Sequence, residues 1–347
     1  MNCAMNCAMQ SAMNSATDGV RSPYRPGPAA QPWRGLAAPR GRVAVLFAAG
    51  VAALAGTAAS GQTGAASEGS KSLVAPGATV EKLAGDFTFL EGPAADATGN
   101  VYFTDVRESR IHRWATDGAL SLVAENTGAA NGLAFDAAGN LLACAGGARQ
   151  LVSFGDVSQG VQGTATVLAD RYDGKRLNSP NDLWIDPQGG IYFTDPSYAN
   201  PAVPLEQDGE HVYYLTADRR ELVRVTDDLT KPNGIIGSLD GKTLYVASTQ
   251  PRETYAFDVG DDGRLSGKRV FAAQGSDGLT LDEQGNLYLT WIDGVSIYSP
   301  DGVKIETIAF PEWPANVAFG GTDRSTLFVT ARTGLYALRM SIRGAAR

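Results

Sequence analysis

One segment of about 15 residues recurs six times along this chain of 347 residues, and this repeat restricts the possible folds more than any other feature. Each copy has a short apolar run, a turn such as DAAGN, DPQGG or DEQGN, and a second run of large residues. This order is typical of two antiparallel strands joined by a tight turn. The copies begin at Glu91, Asn131, Asn181, Asn233, Asp277 and Asn316.

The copies start 39 to 52 residues apart, and further strand-like runs such as HVYYLTA and ETYAFDV lie between them. The pattern contains no long amphipathic helix. Repeats of this length that contain several strands are typical of β-propellers. The sequence therefore predicts an all-β fold, a six-bladed β-propeller over residues 75–347. We expect the segment SLVAPGATVEKLAG to add a strand to the last blade and so to close the ring.

The N-terminal part of the chain has a different composition. Residues 1–40 are rich in Met, Ala, Asn and Pro, and predict no regular structure. A basic flank, an apolar run at residues 43–56 and small residues follow, as in a secretory signal. The run is shorter than the roughly 20 residues of a membrane-spanning helix. We expect residues 1–60 to be cleaved off. The alternative is that they are retained as an anchor. Residues 61–74 are predicted to form a flexible linker.

The charge of the chain restricts its partners. Its net charge of −8 becomes about −12 when the five arginines and one aspartate of residues 1–60 are left out. Such an acidic surface disfavours nucleic acid and offers no basic patch to a membrane. The secretory signal predicts a secreted or periplasmic protein without stable membrane insertion after signal cleavage. We further expect a monomer or dimer whose partner is a small molecule.

The first position of every repeat carries a side chain with an oxygen atom. In a propeller the innermost strands line the central channel, so six equivalent positions point at one small volume. Two carboxylates among neutral amides form an all-oxygen set, which suits a hard divalent ion. Calcium is the first candidate, and magnesium, manganese or zinc are alternatives. For a single position such as Asn131, a simple turn-forming role remains the other interpretation.

Other catalytic motifs are absent from the sequence. The chain has two histidines, His112 and His211, and neither a G-x-S-x-G motif nor a phosphate-binding loop occurs. A His/Cys zinc site and a Ser-His-Asp triad are therefore not indicated. If the protein is an enzyme, we expect its chemistry to come from the metal.

Several motifs in order resemble one known family. EGP, SPNDLWID, GGIYFTDPSY, KPNGI and SDGLTLDEQGNLY are similar to motifs of the SMP-30/gluconolactonase/luciferin-regenerating-enzyme family, over roughly residues 85–340. The resemblance implies a six-bladed propeller that hydrolyses a sugar lactone. It also implies a divalent cation in the channel, held by Glu91, Asn181, Asn233 and Asp277.

A mechanism follows from this resemblance. A cation in the channel would polarise the lactone carbonyl and stabilise the oxyanion. Asp277 is the candidate catalytic base. Asn131, Arg176 and Tyr198 are candidate substrate-binding residues. Two other hypotheses stay open: hydrolysis of a phosphoester or another ester at the same ion, and a binding propeller with a structural calcium ion.

Two stretches near the expected pocket are predicted to give no substrate contact. At CAGGARQL, Ala145 and Gly146 stand where many bacterial members of the family carry an acidic residue and a histidine. The exact substrate of those members is therefore not transferred to this chain. Trp184 and Trp291 are predicted to pack between blades rather than to bind substrate.

Overall fold

The computed structural model describes residues 72–161, 163–198 and 204–345. The predicted leader and signal (residues 1–60) and residues 61–71 of the predicted linker lie outside these ranges. All regular secondary structure in the described ranges is β-strand, which confirms the all-β prediction. Those ranges contain no helix with the length and apolarity needed to span a bilayer.

The first three blades are antiparallel sheets of four consecutive strands. Blade 1 contains β2 (Leu90–Ala95), β3 (Val101–Asp105), β4 (Arg110–Trp114) and β5 (Leu120–Glu125). Blade 2 contains β6 (Ala130–Phe135), β7 (Asn140–Ala145), β8 (Gln150–Asp156) and β9 (Thr166–Ala169). Blade 3 contains β12 (Leu183–Ile185), β13 (Ile191–Asp195), β14 (His211–Leu215) and β15 (Leu222–Thr226). A small hairpin, β10 (Arg171–Tyr172) and β11 (Lys175–Arg176), precedes blade 3.

The remaining blades complete the predicted number of six. Blade 4 contains β16 (Thr230–Gly237), β17 (Thr243–Gln250), β18 (Glu253–Val259) and β19 (Leu265–Ala272). Blade 5 contains β20 (Leu279–Leu281), β21 (Leu287–Trp291), β22 (Gly294–Tyr298) and β23 (Lys304–Ile308). Blade 6 contains β24 (Pro314–Gly320), β25 (Thr326–Ala331), β26 (Gly334–Arg339) and β1 (Glu81–Ala84).

The inner strands form a closed ring. Each inner strand, in the order β2, β6, β12, β16, β20 and β24, contacts the inner strands of both neighbouring blades. The ring is closed by β1, which pairs with β26 and places Glu81 opposite Ala337. This confirms that the N-terminal strand completes the last blade. Contacts with the propeller begin at Ser72, whose hydroxyl donates to Glu306.

The turn of each repeat has a chemical cause in its sequence. In DAAGN, Oδ1 of Asp136 accepts the backbone N–H groups of Ala138 at 2.9 Å and Asn140 at 2.8 Å. Gly139 has a φ of 83°, a left-handed conformation that costs glycine little and other residues more. The carboxylate therefore holds the turn, and the glycine permits it, so the flanking segments pair as strands.

The apolar core lies between neighbouring blades. Trp184 is 4% exposed and stacks on Tyr192 with 5.6 Å between the ring centroids, as its strand pattern predicts. One buried cluster joins side chains of blades 3, 4 and 5. Burial of one large apolar side chain stabilises a fold by about 1.5–3 kcal/mol. This packing fixes the blades against one another and thereby fixes the six inner strands around the channel.

Candidate functional site

The first residues of the repeats lie beside one another around the channel. The N–H of Gly132 donates to the carbonyl oxygen of Asn181 at 2.8 Å, which joins the second repeat to the third. The hydroxyl of Thr194 donates to the carbonyl oxygen of Asn233 at 2.8 Å, which joins the third to the fourth. Backbone contacts of this kind hold the starting positions in one register.

Glycines after the first residue allow this close approach. A Cβ on Gly278 would lie 2.0 Å from Oδ1 of Asn316, and a Cβ on Gly234 would lie 2.5 Å from the carbonyl oxygen of Asp277. At Gly92, which has a φ of 42°, a Cβ would lie 1.9 Å from the carbonyl oxygen of Asn131. A side chain at any of these positions would force neighbouring blades apart at the channel.

We expect Gly92→Ala to lower the free energy of unfolding by about 2 kcal/mol or more, through backbone strain and the steric contact together. The urea midpoint measures the loss. Gly139→Ala is the matched control, because Gly139 also has a positive φ but a Cβ there would meet nothing within 4 Å. Equal losses in the two variants would show that the steric contact between Gly92 on blade 1 and Asn131 on blade 2 contributes nothing.

Glu91 lies at the centre of the candidate site. Glu91 is 3% exposed, and the side chain of Asn316 in the neighbouring blade 6 lies close enough to lower its pKa. Burial raises the pKa of Glu91 well above its usual range, and the nearby carboxylates of Asp277 and Asp182 raise it further. Three acidic groups therefore lie close together in a poorly solvated place, an arrangement that a bound cation would stabilise.

Asp277 and Asn233 are in direct contact. The Nδ2 of Asn233 donates to Oδ1 of Asp277 at 2.8 Å and to the hydroxyl of Tyr198 at 2.9 Å. Burial raises the pKa of Asp277 to about 6, while the hydrogen bond from Asn233 and the charge of Arg332 lower it. In the part of the chain that the structure describes, no group donates to Oδ1 of Asn233, so this oxygen is available to a cation.

Asn181 and Asn131 occupy their expected places in the ring. Asn181 is 8% exposed, and its side-chain amide makes no hydrogen bond to any described residue. Neither polar atom of this amide is fully buried, so the amide borders accessible space in the channel. Asn131 is half-buried, and its carbonyl oxygen accepts a hydrogen bond from the hydroxyl of Thr104 at 3.0 Å. Both side chains are therefore free to bind a cation or a substrate.

An aspartate at the end of β13 positions the segment before Asn181. Asp195 is fully buried, and its carboxylate accepts the backbone N–H groups of Asn178 and Ser179, each at 2.7 Å. Burial raises the pKa of Asp195 to about 7, although these hydrogen bonds lower it. The role of this aspartate, part of the YFTD motif, is a structural one that the sequence analysis did not identify.

Tyr198 lies beside a cavity of about 270 Å³. Its ring is 46% exposed, and its hydroxyl contacts Asn233, so it connects the candidate cation site to this cavity. The cavity is lined by Gly146, Arg149, Asn178, Ser179, Ser197, Tyr198, Pro204 and Leu205. The cavity has a partly apolar lining with several polar side chains and lies next to the candidate site, where it has room for a small molecule.

Arg149, rather than Arg176, is the arginine in the lining of this cavity. Arg149 donates through Nε to the carbonyl oxygen of Leu177 at 2.5 Å and is paired with Glu206 at 2.9 Å. The Nη2 of Arg176 donates to the carbonyl oxygen of Ala148 at 2.8 Å. The substrate-binding role of Arg176 stays a prediction. The sequence analysis did not identify Arg149. Its position in the GGARQ turn, three residues after Gly146, was the signal that could have indicated it.

The donor set differs from the metal sites that histidines and cysteines form. Within the described ranges, no group of three or more His, Cys, Asp or Glu side chains is placed to hold a metal ion. The predicted set instead combines the carboxylates of Glu91 and Asp277 with the amides of Asn181 and Asn233. Neutral amide oxygens beside carboxylates are typical ligands of calcium and are poor ligands for soft metals.

Comparisons with known proteins agree with this architecture. The family model for the SMP-30/gluconolactonase/LRE-like region matches residues 89–333. A gluconolactonase of Zymomonas mobilis is 27% identical over 75% of this chain and 81% of its own length. A pentonolactonase of Haloferax volcanii is 26% identical over 67% of this chain and 78% of its own length.

A solved structure gives the same result. The gluconolactonase of Xanthomonas campestris superposes with a TM-score of 0.72 and 32% identity, and the match covers 77% of this chain and 91% of that one. The motifs, the six closed blades and these similarities lead to one conclusion. This chain belongs to the SMP-30/gluconolactonase/luciferin-regenerating-enzyme-like family.

Proposed function

We propose that this protein is a hydrolase that opens a sugar lactone with the help of a divalent cation in the propeller channel. The observation that carries the proposal is the contact between Asn233 and Asp277 beside the buried Glu91. The names of the gluconolactonase and pentonolactonase relatives support a sugar lactone as the substrate class.

The residues present fit a cation. Two buried carboxylates, Glu91 and Asp277, would neutralise a divalent charge. The pKa of each is raised in the metal-free protein, and a bound cation would lower it. The unpartnered amide of Asn181 and the free Oδ1 of Asn233 supply neutral oxygen ligands. Calcium fits this oxygen set best, with magnesium, manganese or zinc as alternatives. When bound, the cation would supply Lewis-acid polarisation of the lactone carbonyl.

Each side chain of the site has its own role in the proposed hydrolysis. Asp277 takes a proton from the water that attacks the carbonyl carbon, and returns it to the ring oxygen when the ring C–O bond breaks. Asn233 fixes the orientation of this carboxylate through its 2.8 Å hydrogen bond. Tyr198 and Asn131 orient the sugar hydroxyls at the mouth. This division leaves Glu91 as a charge-neutralising ligand.

The test is acid release from a panel of sugar lactones, aliphatic lactones and an aryl phosphoester. The full chain is assayed after chelation and after addition of Ca²⁺, Mg²⁺, Mn²⁺ or Zn²⁺. We expect sugar-lactone hydrolysis to be lost on chelation and to return with one of these ions. Cation binding without hydrolysis of any substrate would favour a binding propeller, and release from the phosphoester alone would favour the other ester-hydrolase hypothesis.

A further inference from the structure

Three arginines at the mouth of the channel differ from most other arginines of the chain. Within the described residues, the guanidinium groups of Arg107, Arg252 and Arg332 make no hydrogen bond and no ion pair. Five arginines elsewhere are hydrogen-bonded to carboxylates: Arg110, Arg149, Arg224, Arg269 and Arg339. In a chain with a net charge of −8, cations that remain unpaired beside an acidic channel require an explanation.

Each of these guanidinium groups lies over an aromatic ring. Arg107 and Arg332 lie 5.3 Å and 5.4 Å from the ring centroid of Phe89. Arg332 also lies 4.3 Å from that of Trp313. The ring of Trp313 is 6.2 Å from that of Trp291, over which Arg252 lies at 5.6 Å. These six residues form one continuous row across blades 1, 6, 5 and 4, the arginine–aromatic row.

The row lies at the same end of the propeller as the candidate site. Leu90 at the start of β2 pairs with Asp105 at the end of β3, which places Phe89 and Arg107 at this end. Pro314 pairs with Ala331, so Trp313 and Arg332 lie there too. The charge of Arg332 lowers the pKa of Asp277, so this guanidinium lies close enough to act on that one carboxylate.

The nearby carboxylates are engaged with other groups. Glu312, next to Trp313, accepts hydrogen bonds from Lys82 at 3.0 Å, the backbone of Thr333 at 2.9 Å and the hydroxyl of Tyr336 at 2.7 Å. Glu253, next to Arg252, accepts one from Tyr255 at 2.5 Å. The arginines of the row are therefore available to a ligand.

Stacking on a ring suits an arginine to bind an anion. The ring covers the flat face of the guanidinium, while the N–H groups in its plane stay free for two parallel hydrogen bonds. A carboxylate, phosphate or sulfonate accepts such a pair of bonds. The backbone of Phe89 is also held, because its N–H donates to Asp105 at 3.0 Å. The row therefore offers guanidinium donors that are exposed or partly exposed and packed on aromatic rings.

We propose that the arginine–aromatic row binds an anionic group of the substrate, so that the preferred substrates are sugar lactones that carry a carboxylate, phosphate or sulfonate away from the lactone carbonyl. The inference rests on the proposed lactonase function and names the substrate class of that site. The anion would be bound by Arg332 and Arg252, while the sugar ring reaches the channel carboxylates.

The test compares kcat/KM for neutral glucono-1,5-lactone with kcat/KM for the analogues that carry a 6-carboxylate or a 6-phosphate. We expect the anionic lactones to be preferred, and Arg332→Gln and Arg252→Gln each to lower that preference by roughly tenfold to a hundredfold, mainly through KM. Arg343→Gln is the matched control, because Arg343 lies at the opposite end of the propeller beside the turn residue Glu283. A preference for the 6-carboxylate or the 6-phosphate alone identifies the anion that the row binds.

An unchanged preference in both variants, or no preference in the parent protein, would overturn the inference. A second measurement does not depend on hydrolysis. Titration of the calcium-loaded protein with glucarate and, separately, with 6-phosphogluconate should quench the fluorescence of Trp291 and Trp313 for at least one of the two anions, weakly in Arg332→Gln and fully in Arg343→Gln. Quenching without hydrolysis of any lactone would refute the proposed function and keep the anion site, and hydrolysis without quenching would do the reverse.

Discussion

Asp277→Asn is expected to lower kcat for the best lactone at least about 100-fold while the protein stays folded. The substitution removes the group that accepts the proton of the attacking water, and general bases contribute roughly 10²–10⁴-fold. The hydrogen bond from Asn233 can persist, since an amide oxygen replaces Oδ1. Initial rates at saturating lactone and cation give kcat, and far-UV circular dichroism checks the fold.

Asp293→Asn controls for the loss of one negative charge in the same blade, because Asp293 is exposed. We expect this variant to keep the activity of the parent protein. Full activity in Asp277→Asn would show that another group serves as the base. Loss of activity that a higher cation concentration restores would assign Asp277 to cation binding alone.

Glu91→Gln is expected to stabilise the metal-free protein and to abolish its stabilisation by a cation. The substitution replaces a buried carboxyl, which is costly to ionise close to Asp277 and Asp182, by a neutral amide of similar shape. For a protein of this size each kcal/mol changes the Tm by roughly 2–4 °C. Thermal unfolding in chelator and in calcium measures both effects. Glu283→Gln, in an exposed turn, is the control.

The same carboxylate predicts how stability depends on pH. Because the pKa of Glu91 is raised, the native state keeps this proton at pH values at which the unfolded chain has released it. The contribution of Glu91 to the stability of the metal-free protein is therefore greatest below about pH 4.5, the ordinary pKa, and is lost as the pH rises through the raised one. We expect a smaller fall in Glu91→Gln. An equal fall in both proteins would assign it to other groups.

The sequence predicts the blades and the ring because both follow from short-range patterns. A turn such as DAAGN needs only its own five residues, and a repeated register places Glu91, Asn233 and Asp277 on inner strands. Asp182 was not predicted as a third acid, because next to Asn181 in NDLWID it has the position of a strand residue. Its approach to Glu91 depends on the closed ring, in which blade 2 packs against both blade 1 and blade 3.

The mouth was harder to predict because it is formed by loops. Trp291 ends a strand with a regular pattern, which predicts a core position, but the side chain is only half-buried beside Trp313. Arg252 and Arg332 have φ angles of 78° and 49°, left-handed conformations that the sequence pattern does not predict for arginine. The row also brings together Phe89 and Trp313, which are far apart in the sequence of the propeller domain. Only the closed ring brings them together.

The pairing of β1 with β26 also has a consequence for the time at which the protein becomes functional. The strand β1, near the start of the propeller domain, can pair only after β26, near its end, has been made. Contacts between residues so distant in sequence form slowly. Glu91 follows β1 and lies on β2, which packs against β24 of the last blade, where Asn316 is located. The site proposed for the cation is therefore completed only when the whole propeller has been synthesised, and a partly made chain would lack it.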